Sequence, residues 1–450
     1  MPFSAFIRMI QLARCLNESR CLSHHRLIDI GGGLSCLAYA VLTFYSWQRA
    51  NVPLLAFVSV MVATWALTLL LYCKLDGVSD SSALTRVLLW AILFRICGFV
   101  AEPILEDDYF RYLWDGRTFA LSGNPYQLAP LASFHNASSP DRFQIILDNI
   151  NNPDIPTIYG PVCQLVFLLS YWLSAGSFFP LKLLIIAADL STVAVLARWL
   201  PLRNLLLYAW CPLLIKELSF SAHIDGVGVF LMVMSLAALR YGQRLWPGAL
   251  LAFSAACKPF SVLLVPFYVV KWGWSGTALF VASLLGIYAP FLLMEGSAGL
   301  AAMLTFFKEW EFNSSLYALA SLFLAPSIAK FLSAVLFGVF YIGYFIRWRS
   351  DKGAMQIVRG DWIFGMLMLC SAVVNPWYLL WLLPFVAIYP SAWGIAALAA
   401  VSLAYIHGGN LSHSGLDPYH HPWWVRPLEF GAIVAALIFG AKRLPTESES

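Results

Sequence analysis

Apolar runs of membrane-spanning length recur from one end of this sequence to the other. A helix of about 17–25 apolar residues is long enough to cross a bilayer. Such runs lie at 28–48, 52–73, 84–101, 159–179, 181–200, 203–222, 224–241, 275–294, 327–347, 391–407 and 426–441. Two further stretches are interrupted, 246–271 by Lys258–Pro259 and 362–389 by Asn375–Pro376. Each is one bent helix or two short ones meeting at the proline, which removes a donor and disfavours helix before it. The piece 314–325 is too short to span and reads as re-entrant. The expected fold is all-α, a polytopic transmembrane helical bundle of roughly 12–14 segments.

Charge content agrees. Charged residues make up 12% of the 450 and apolar ones 60%, against about 25% charged in a soluble domain. Such a surface in water would carry large apolar patches, which soluble monomers avoid. The 18 Trp and 19 Tyr suit interfacial belts. The nine cysteines sit mostly within apolar runs, as do Cys36, Cys97, Cys211 and Cys370, so neither a disulfide framework nor a zinc site is expected.

Lys and Arg in short loops set the sidedness. Arg8, Arg14, Arg20 and Arg26 place residues 1–27 inside as a basic cytoplasmic segment. Lys74 and Arg86 mark the next inside loop, and Arg347, Arg349, Lys352 and Arg359 a later one. Residues 28–441 form a single transmembrane domain, with 102–158 and 408–425 outside; residues 442–450 are a polar tail, with Lys442 and Arg443 inside. Strict alternation through 159–222 would put Arg198 and Arg203 outside and His223 and Asp225 inside, against the charge rule. The conflict disappears if 159–179 enters and leaves on one side.

The first outer loop, Ala101–Tyr159, is the most informative segment. It holds the acids Glu102, Glu106, Asp107, Asp108, Asp115, Asp141, Asp148 and Asp154 against Arg111, Arg117 and Arg142, a formal charge of −5. Interleaved Tyr109, Phe110, Tyr112, Leu113 and Trp114 argue for packing rather than disorder. As a helix, Asp108, Arg111, Tyr112 and Asp115 share one face, Asp107 pairs with Arg111, and Gly116 ends the helix. Adjacent carboxylates raise one another's pKa. One of them is placed to accept a proton from an attacking hydroxyl or to ligate a divalent metal through oxygen. Gln164, one turn into the next run, is a candidate helix–helix hydrogen bond or substrate contact.

Intramembrane charge marks other candidates. Asp189, Lys216 and Glu217 lie mid-run, with His223 and Asp225 just beyond; a structural ion pair is the competing explanation. Lys258, at a helix break, suits a lipid-linked phosphate, or else snorkels to the interface. His413, His420 and His421 with Asp417 show no standard metal spacing and suit the surface or an acceptor. Glu295, Glu309 and Glu311 flank Trp310 and Phe312, a pairing that fits a sugar face or a membrane interface.

Several of these segments carry a resemblance. Asp107-Asp108-Tyr109-x-Arg111-Tyr112-x-Trp114-Asp115-Gly116, then Gly123-Asn124-Pro125-Tyr126, then Ile158-Tyr159-Gly160-Pro161-x-x-Gln164, resembles the GT-C superfamily of membrane glycosyltransferases. Bacterial polyprenyl-phosphate-mannose-dependent mannosyltransferases look nearest and the GPI mannosyltransferases more distant. Cys211 to Glu217, His223-Ile224-Asp225, Lys258-Pro259 and Asn375 to Trp381 fit in order, so the similarity spans roughly residues 84–390. It implies a polyprenyl-phosphate sugar donor, a glycan or glycolipid acceptor, the bilayer as partner and no nucleic acid. It also implies a first-loop acid as base, which maps onto Asp107 or Asp108; Asp108 is preferred for the face it shares with Arg111 and Asp115. Candidate substrate contacts are Arg111, Tyr112, Asp115, Tyr159, Gln164, His223, Asp225, Lys258, Trp377 and Tyr378. No cofactor is implied, and a divalent metal is optional. The chain departs from several relatives in having an extra pair of helices before the acidic motif.

The expected activity is inverting transfer of mannose or a related hexose on the extracytoplasmic side of a bacterial inner membrane. The rival from another class is a transporter or lipid flippase, whose broken helices would carry midplane sites. A non-catalytic envelope partner is a third reading. The sequons at Asn136 and Asn313 would matter only in an ER membrane.

Overall fold

The computed structural model describes residues 3–48, 51–134, 140–294, 302, 310–350, 357–413, 415–417 and 420–440, with side chains described from residue 24 onward. Arg8, Arg14 and Arg20 of the basic segment therefore lie outside the described side chains. Asn136, Glu295, Glu309, Lys352 and the tail from Ala441 lie outside the described residues.

The chain is a helical bundle. In order come α1 (Phe3–Trp47), α2 (Leu54–Lys74), α3 (Ser81–Val100), α4 (Asp108–Ser122), α5 (Asp141–Asp148), α6 (Pro161–Leu173), α7 (Phe178–Leu196), α8 (Leu202–Ala209) and α9 (Pro212–Ile215). They are followed by α10 (Asp225–Arg240), α11 (Trp246–Ala255), α12 (Val265–Leu293), α13 (Leu316–Ser321), α14 (Pro326–Ser350), α15 (Gly360–Cys370), α16 (Leu383–Ile388), α17 (Ala392–Ala400) and α18 (Val425–Gly440). Among the described residues, extended pairing is limited to two-residue strands, Val52–Pro53 beside Leu411–Ser412, and one bridge, Phe312 to Val373. Among the described residues, six helical segments are long and apolar enough to cross a membrane: His24–Trp47, Leu54–Lys74, Ser81–Val100, Phe178–Leu196, Pro259–Leu293 and Pro326–Ser350. Outward faces are apolar, as Leu55 at 78% and Phe323 at 86% exposure illustrate, which suits hydrocarbon rather than water.

Both interrupted stretches are broken. Helix α11 stops at Ala255, Lys258 is extended, and a 3₁₀ turn, Pro259–Leu264, leads into α12. Helix α15 stops at Cys370, Asn375 is extended, and a second 3₁₀ turn, Pro376–Trp381, leads into α16. The run 203–222 is not the single helix expected. It breaks at Trp210–Cys211, before the Pro212 that lacks an N–H, and ends in a π-helical turn, Lys216–Phe220.

The run at 159–179 is a 13-residue helix, α6, packed on α4. Gly160 before it and Gly176 after it line the same cavity, so it enters and leaves at one end of the bundle. Helix α7 then starts at that end, where Lys182 Nζ donates to the carbonyls of Gly98 (2.8 Å) and Ala101 (2.7 Å). It finishes at the other end, near Arg203, which pairs with Asp76, and near Trp199, over which Arg240 lies. Arg198 and Arg203 are thereby placed opposite His223 and Asp225, as the charge rule requires.

Mid-bundle charge is locked in pairs. Arg95 Nε donates to Asp189 Oδ2 at 2.6 Å, and its Nη1 reaches the carbonyls of Ala91 and Ala209, fastening α3 to α7 and α8. Removing one member leaves a buried charge uncompensated, which costs about 3–5 kcal/mol, whereas replacing both by apolar residues is often neutral. Arg95→Leu is expected to lower the melting temperature in detergent sharply, and Arg95→Leu with Asp189→Leu to recover most of the loss. Equal losses in both variants would mean the pair does not lock α3 to α7.

Candidate active site

One large cavity, about 1760 Å³, opens among the broken helices. Glu106, Asp107 and Asp108 face it from the first loop, Asn151 and Tyr159 from the segment before α6, Lys258 from the α11 break, and Asn375, Trp377 and Tyr378 from the α15 break. Glu311, Phe312, His407 and Asn410 form a second side of it.

Helix α4 places the acids. Asp108 is its first residue, and the helix runs on past Gly116 to a left-handed cap at Gly123 (φ 74°). The expected stop at Gly116 is corrected: a Cβ there would meet the Phe167 carbonyl oxygen at 2.4 Å, so this glycine lets α4 and α6 touch. The expected Asp107–Arg111 pair is corrected too. Asp107 accepts from Asn151 Nδ2, while Arg111 Nε donates to Asp115 Oδ1 (2.9 Å) and its Nη2 to the Ile155 carbonyl (2.9 Å). Gln164 Nε2 then donates to Asp115 Oδ2 and to Thr157 Oγ1, each at 3.0 Å.

This bracket places several of the expected substrate contacts behind the cavity surface. Asp115 and Gln164 lie behind the cavity wall, tying α4 to α6, and Arg111 reaches the wall with its guanidinium already engaged. Tyr112 is also behind the wall, stacked on Phe167 (4.6 Å, 10°) with its hydroxyl 3.4 Å from Asp108 Oδ2. His223 and Asp225 are buried and do not line the cavity. Asp225 Oδ2 accepts from Lys258 Nζ (2.7 Å) and its Oδ1 from Trp381 Nε1 (2.8 Å). His223 stacks on Trp377 with ring centroids 4.0 Å apart.

Asp107, Asp108, Tyr159, Lys258, Trp377 and Tyr378 do face the cavity. The Tyr159 hydroxyl donates to Asp108 Oδ2 at 3.0 Å, and Lys258 Nζ lies 5.9 Å from the Tyr159 ring and 5.2 Å from the Tyr378 ring. Asp108 keeps 23% of its side chain exposed. Burial raises its pKa, as does the Asp225 carboxylate, while Lys258 and the Tyr159 hydrogen bond oppose the rise. Asp107 is pushed up to about 6, by burial first and by Asp108 second. Burial also carries Glu106 well above the usual carboxylate range, with Asp108, Asp107 and Glu217 adding to it and Lys216 opposing. Neighbouring acids in one cleft divide into weaker and stronger bases in this way.

Sequence reasoning missed Asn151 and Tyr405, and took Asn375 and Trp381 only as part of a motif, without a site role. Asn151 had one signal, the turn-forming Asn151-Asn152-Pro153, and Asn152 does take positive φ (49°). Every described non-glycine residue with positive φ adjoins the site: Leu105 precedes Glu106, Asn152 follows Asn151, Ala222 precedes His223 and Asn313 follows Phe312. Such strain gathers where function requires it. Asn313 is itself fully buried, with its amide on Glu429, so it is no glycan acceptor in the folded chain. Among the histidines of the 408–425 loop, His421 Nε2 meets the Ala404 carbonyl (2.8 Å), and its ring packs on Phe312.

Residues 33–274 match the family model of the MptA_B family, described as alpha-(1->6)-mannopyranosyltransferase, N-terminal domain. The chain belongs to this family. It is a membrane mannosyltransferase, and the transporter reading falls. No curated protein and no solved structure matches it. The matched stretch holds Glu106 to Asp108, Tyr159, His223, Asp225 and Lys258, and leaves out Trp377 and Tyr378.

The bracket yields a prediction that separates wall from contact. Gln164→Leu removes a buried hydrogen bond to a carboxylate, worth about 1.5–3 kcal/mol. The melting temperature should fall while the KM for donor stays unchanged in the folded fraction. A KM rise without a stability loss would put Gln164 back in contact with substrate.

Proposed function

We propose that the chain transfers mannose, or a related hexose, from a polyprenyl-phosphate donor to a hydroxyl of a glycan or glycolipid acceptor, with inversion at the anomeric carbon. The observation that carries this is the juxtaposition of Asp108 and Lys258 on one cavity, joined through Tyr159. The pair supplies a base for an incoming hydroxyl and a cation for a departing phosphate within a single enclosed space.

Asp108 accepts the proton of the acceptor hydroxyl as that oxygen bonds to the anomeric carbon. The bond from that carbon to the phosphate oxygen breaks on the opposite face, and the phosphate keeps the electron pair. Lys258, held by Asp225 and flanked by Tyr378, stabilises the developing anion. Trp377 and Tyr378 offer aromatic faces to the sugar's C–H surface. The prenyl chain leaves past Phe260, Phe337 and Leu367, which line the apolar side of the cavity towards α14. Inner-membrane location in a bacterium and an extracytoplasmic site belong to the same proposal. Its supports are the basic end around Arg86, Arg203 and Arg240, and the acidic site at the opposite end.

Transfer should be measured on purified, lipid-reconstituted protein offered polyprenyl-phosphate mannose. Asp108→Asn is expected to lose about 10²–10⁴-fold in kcat while still binding donor, as loss of a general base does. Asp107→Asn should keep most of the rate, since Asp107 is tied to Asn151. Lys258→Gln should lower kcat as well as raise donor KM, since the cation holds the phosphate and stabilises the charge that develops as it leaves. Full activity of Asp108→Asn would remove the acidic-loop mechanism.

The raised pKa of Asp108 carries a sign. A base works only when deprotonated, so activity should fall as pH drops through a value above the ordinary carboxylate range. A pH profile flat down to ordinary carboxylate pKa values would exclude Asp108 as the base.

A further inference from the structure

Behind Asp108, away from the cavity, lies a second buried group that the mechanism above does not use. His223 Nδ1 is 3.9 Å from Asp108 Oδ2, and its Nε2 is 3.4 Å from Glu217 Oε2. Both His223 and Glu217 are fully buried, yet neither ring nitrogen completes a hydrogen bond among the described residues. A structural histidine at this depth would have its nitrogens satisfied. Three features of the backbone and packing put this one where it is. The π-helical turn Lys216–Phe220 carries Glu217, and the His223 N–H closes on the Glu217 carbonyl at 3.0 Å. Ala222 takes φ 63° to turn His223 inward. Trp377 then clamps the ring flat at 4.0 Å.

Glu217 is held as an acceptor. Lys216 Nζ lies 3.2 and 3.3 Å from its two oxygens, and the Tyr405 hydroxyl donates to Oε1 at 2.8 Å. With Glu217 3.4 Å away as the nearest acceptor, the ring hydrogen belongs on Nε2, which leaves the unprotonated Nδ1 on the side of Asp108, 3.9 Å from its Oδ2. The other charged groups around this row are Glu106, Asp225 and Lys258, with Tyr112 and Tyr159 on Asp108.

We propose that Glu217 and His223 are positioning residues for the base: Glu217 fixes the imidazole tautomer, and the free Nδ1 accepts a hydrogen bond from Asp108 once Asp108 has taken the acceptor's proton. This rests on the assignment of Asp108 as base. The contact closes from 3.9 Å to hydrogen-bond length as the carboxyl is protonated; catalytic hydrogen bonds are often long before substrate binds. No net proton leaves Asp108 by this route. The proton is released to the cavity when product departs, and the imidazole is unchanged over the cycle. The arrangement favours the protonated acid and so strengthens the base.

The test compares wild type, His223→Phe, which keeps the stack on Trp377, Glu217→Gln and Asp108→Asn. The pH titration of the protonated-carboxyl infrared band is read in each, the Asp108 band being the one missing in Asp108→Asn. His223→Phe should move its midpoint to lower pH, because the acceptor for the protonated form is gone. Glu217→Gln should move it the same way, since the amide donates to Nε2 and turns Nδ1–H towards the carboxylate. In transfer assays both should lose about tenfold or more in kcat, with the acid limb shifted down and donor KM unchanged. An unmoved band in both variants, or a loss of folded protein with an unmoved acid limb, overturns the proposal. Failure of wild type to use any lipid-phosphate sugar would overturn the donor assignment instead, and the infrared titration, which needs no substrate, would still decide whether Glu217 and His223 position Asp108. Should His223→Phe not fold, Glu217→Gln carries the same comparison.

Discussion

In hydrocarbon a helix can be interrupted only where protein covers the break, because each freed N–H and C=O otherwise goes without a partner. This chain interrupts its helices after α3, within 203–222, at Lys258 and at Asn375; three of these breaks line one cavity, and the break within 203–222 packs behind its wall through Ser221 and Ile104. The interruptions therefore protect one another. The Gly160 and Val162 N–H groups reach the carbonyls of Cys257 and Ala256, and the Ser221 hydroxyl reaches the Ile104 carbonyl. A site assembled this way has the backbone of one break as the hydrogen-bonding partner of the next. It explains why polar residues scattered over more than 250 positions, from Glu106 to Asn375, meet around one space.

How much of this was legible beforehand varied with the range of the interaction. The helical face of Asp108, Arg111, Tyr112 and Asp115 follows from spacing alone, and the breaks at Lys258–Pro259 and Asn375–Pro376 follow from proline chemistry. The family was legible in the acidic motif and the order of the weaker ones. Pairings were not. Arg111 had acids at both i−4 and i+4, and only the packing of α6 through Gly116, with Gln164 on the far carboxylate oxygen, selects Asp115. The depth of Glu217 and its nearness along the chain to His223 were legible, but the π-turn at Lys216 leaves no periodic trace in so apolar a run, so the side-chain approach of Glu217 to His223 could not be read. The role of α6 lay between these cases. Charge placement raised the question, and the contacts of both its ends answered it.

The division between wall and contact matters for the chemistry. Asp115, Gln164 and Tyr112 carry as much polar character as Asp108, yet they spend it on α4–α6 packing, where each hydrogen bond fixes the angle at which Asp108 enters the cavity. Asp107, next in sequence, faces the same space but is tethered by Asn151. Two adjacent carboxylates are thus made unlike by their surroundings, which is how a membrane surface crowded with acids can present one of them as a base.

The left-handed backbone at Leu105, Asn152, Ala222 and Asn313 bears on the order in which the protein is made. Long apolar helices can enter a bilayer singly, each satisfying its own backbone. A strained residue holds its conformation only once its surroundings over-determine it, and here those surroundings come from segments as distant as Leu105 and Asn313. Insertion and maturation are then separate events. A chain with every helix in place but its breaks not yet joined would be fully embedded and still without a site.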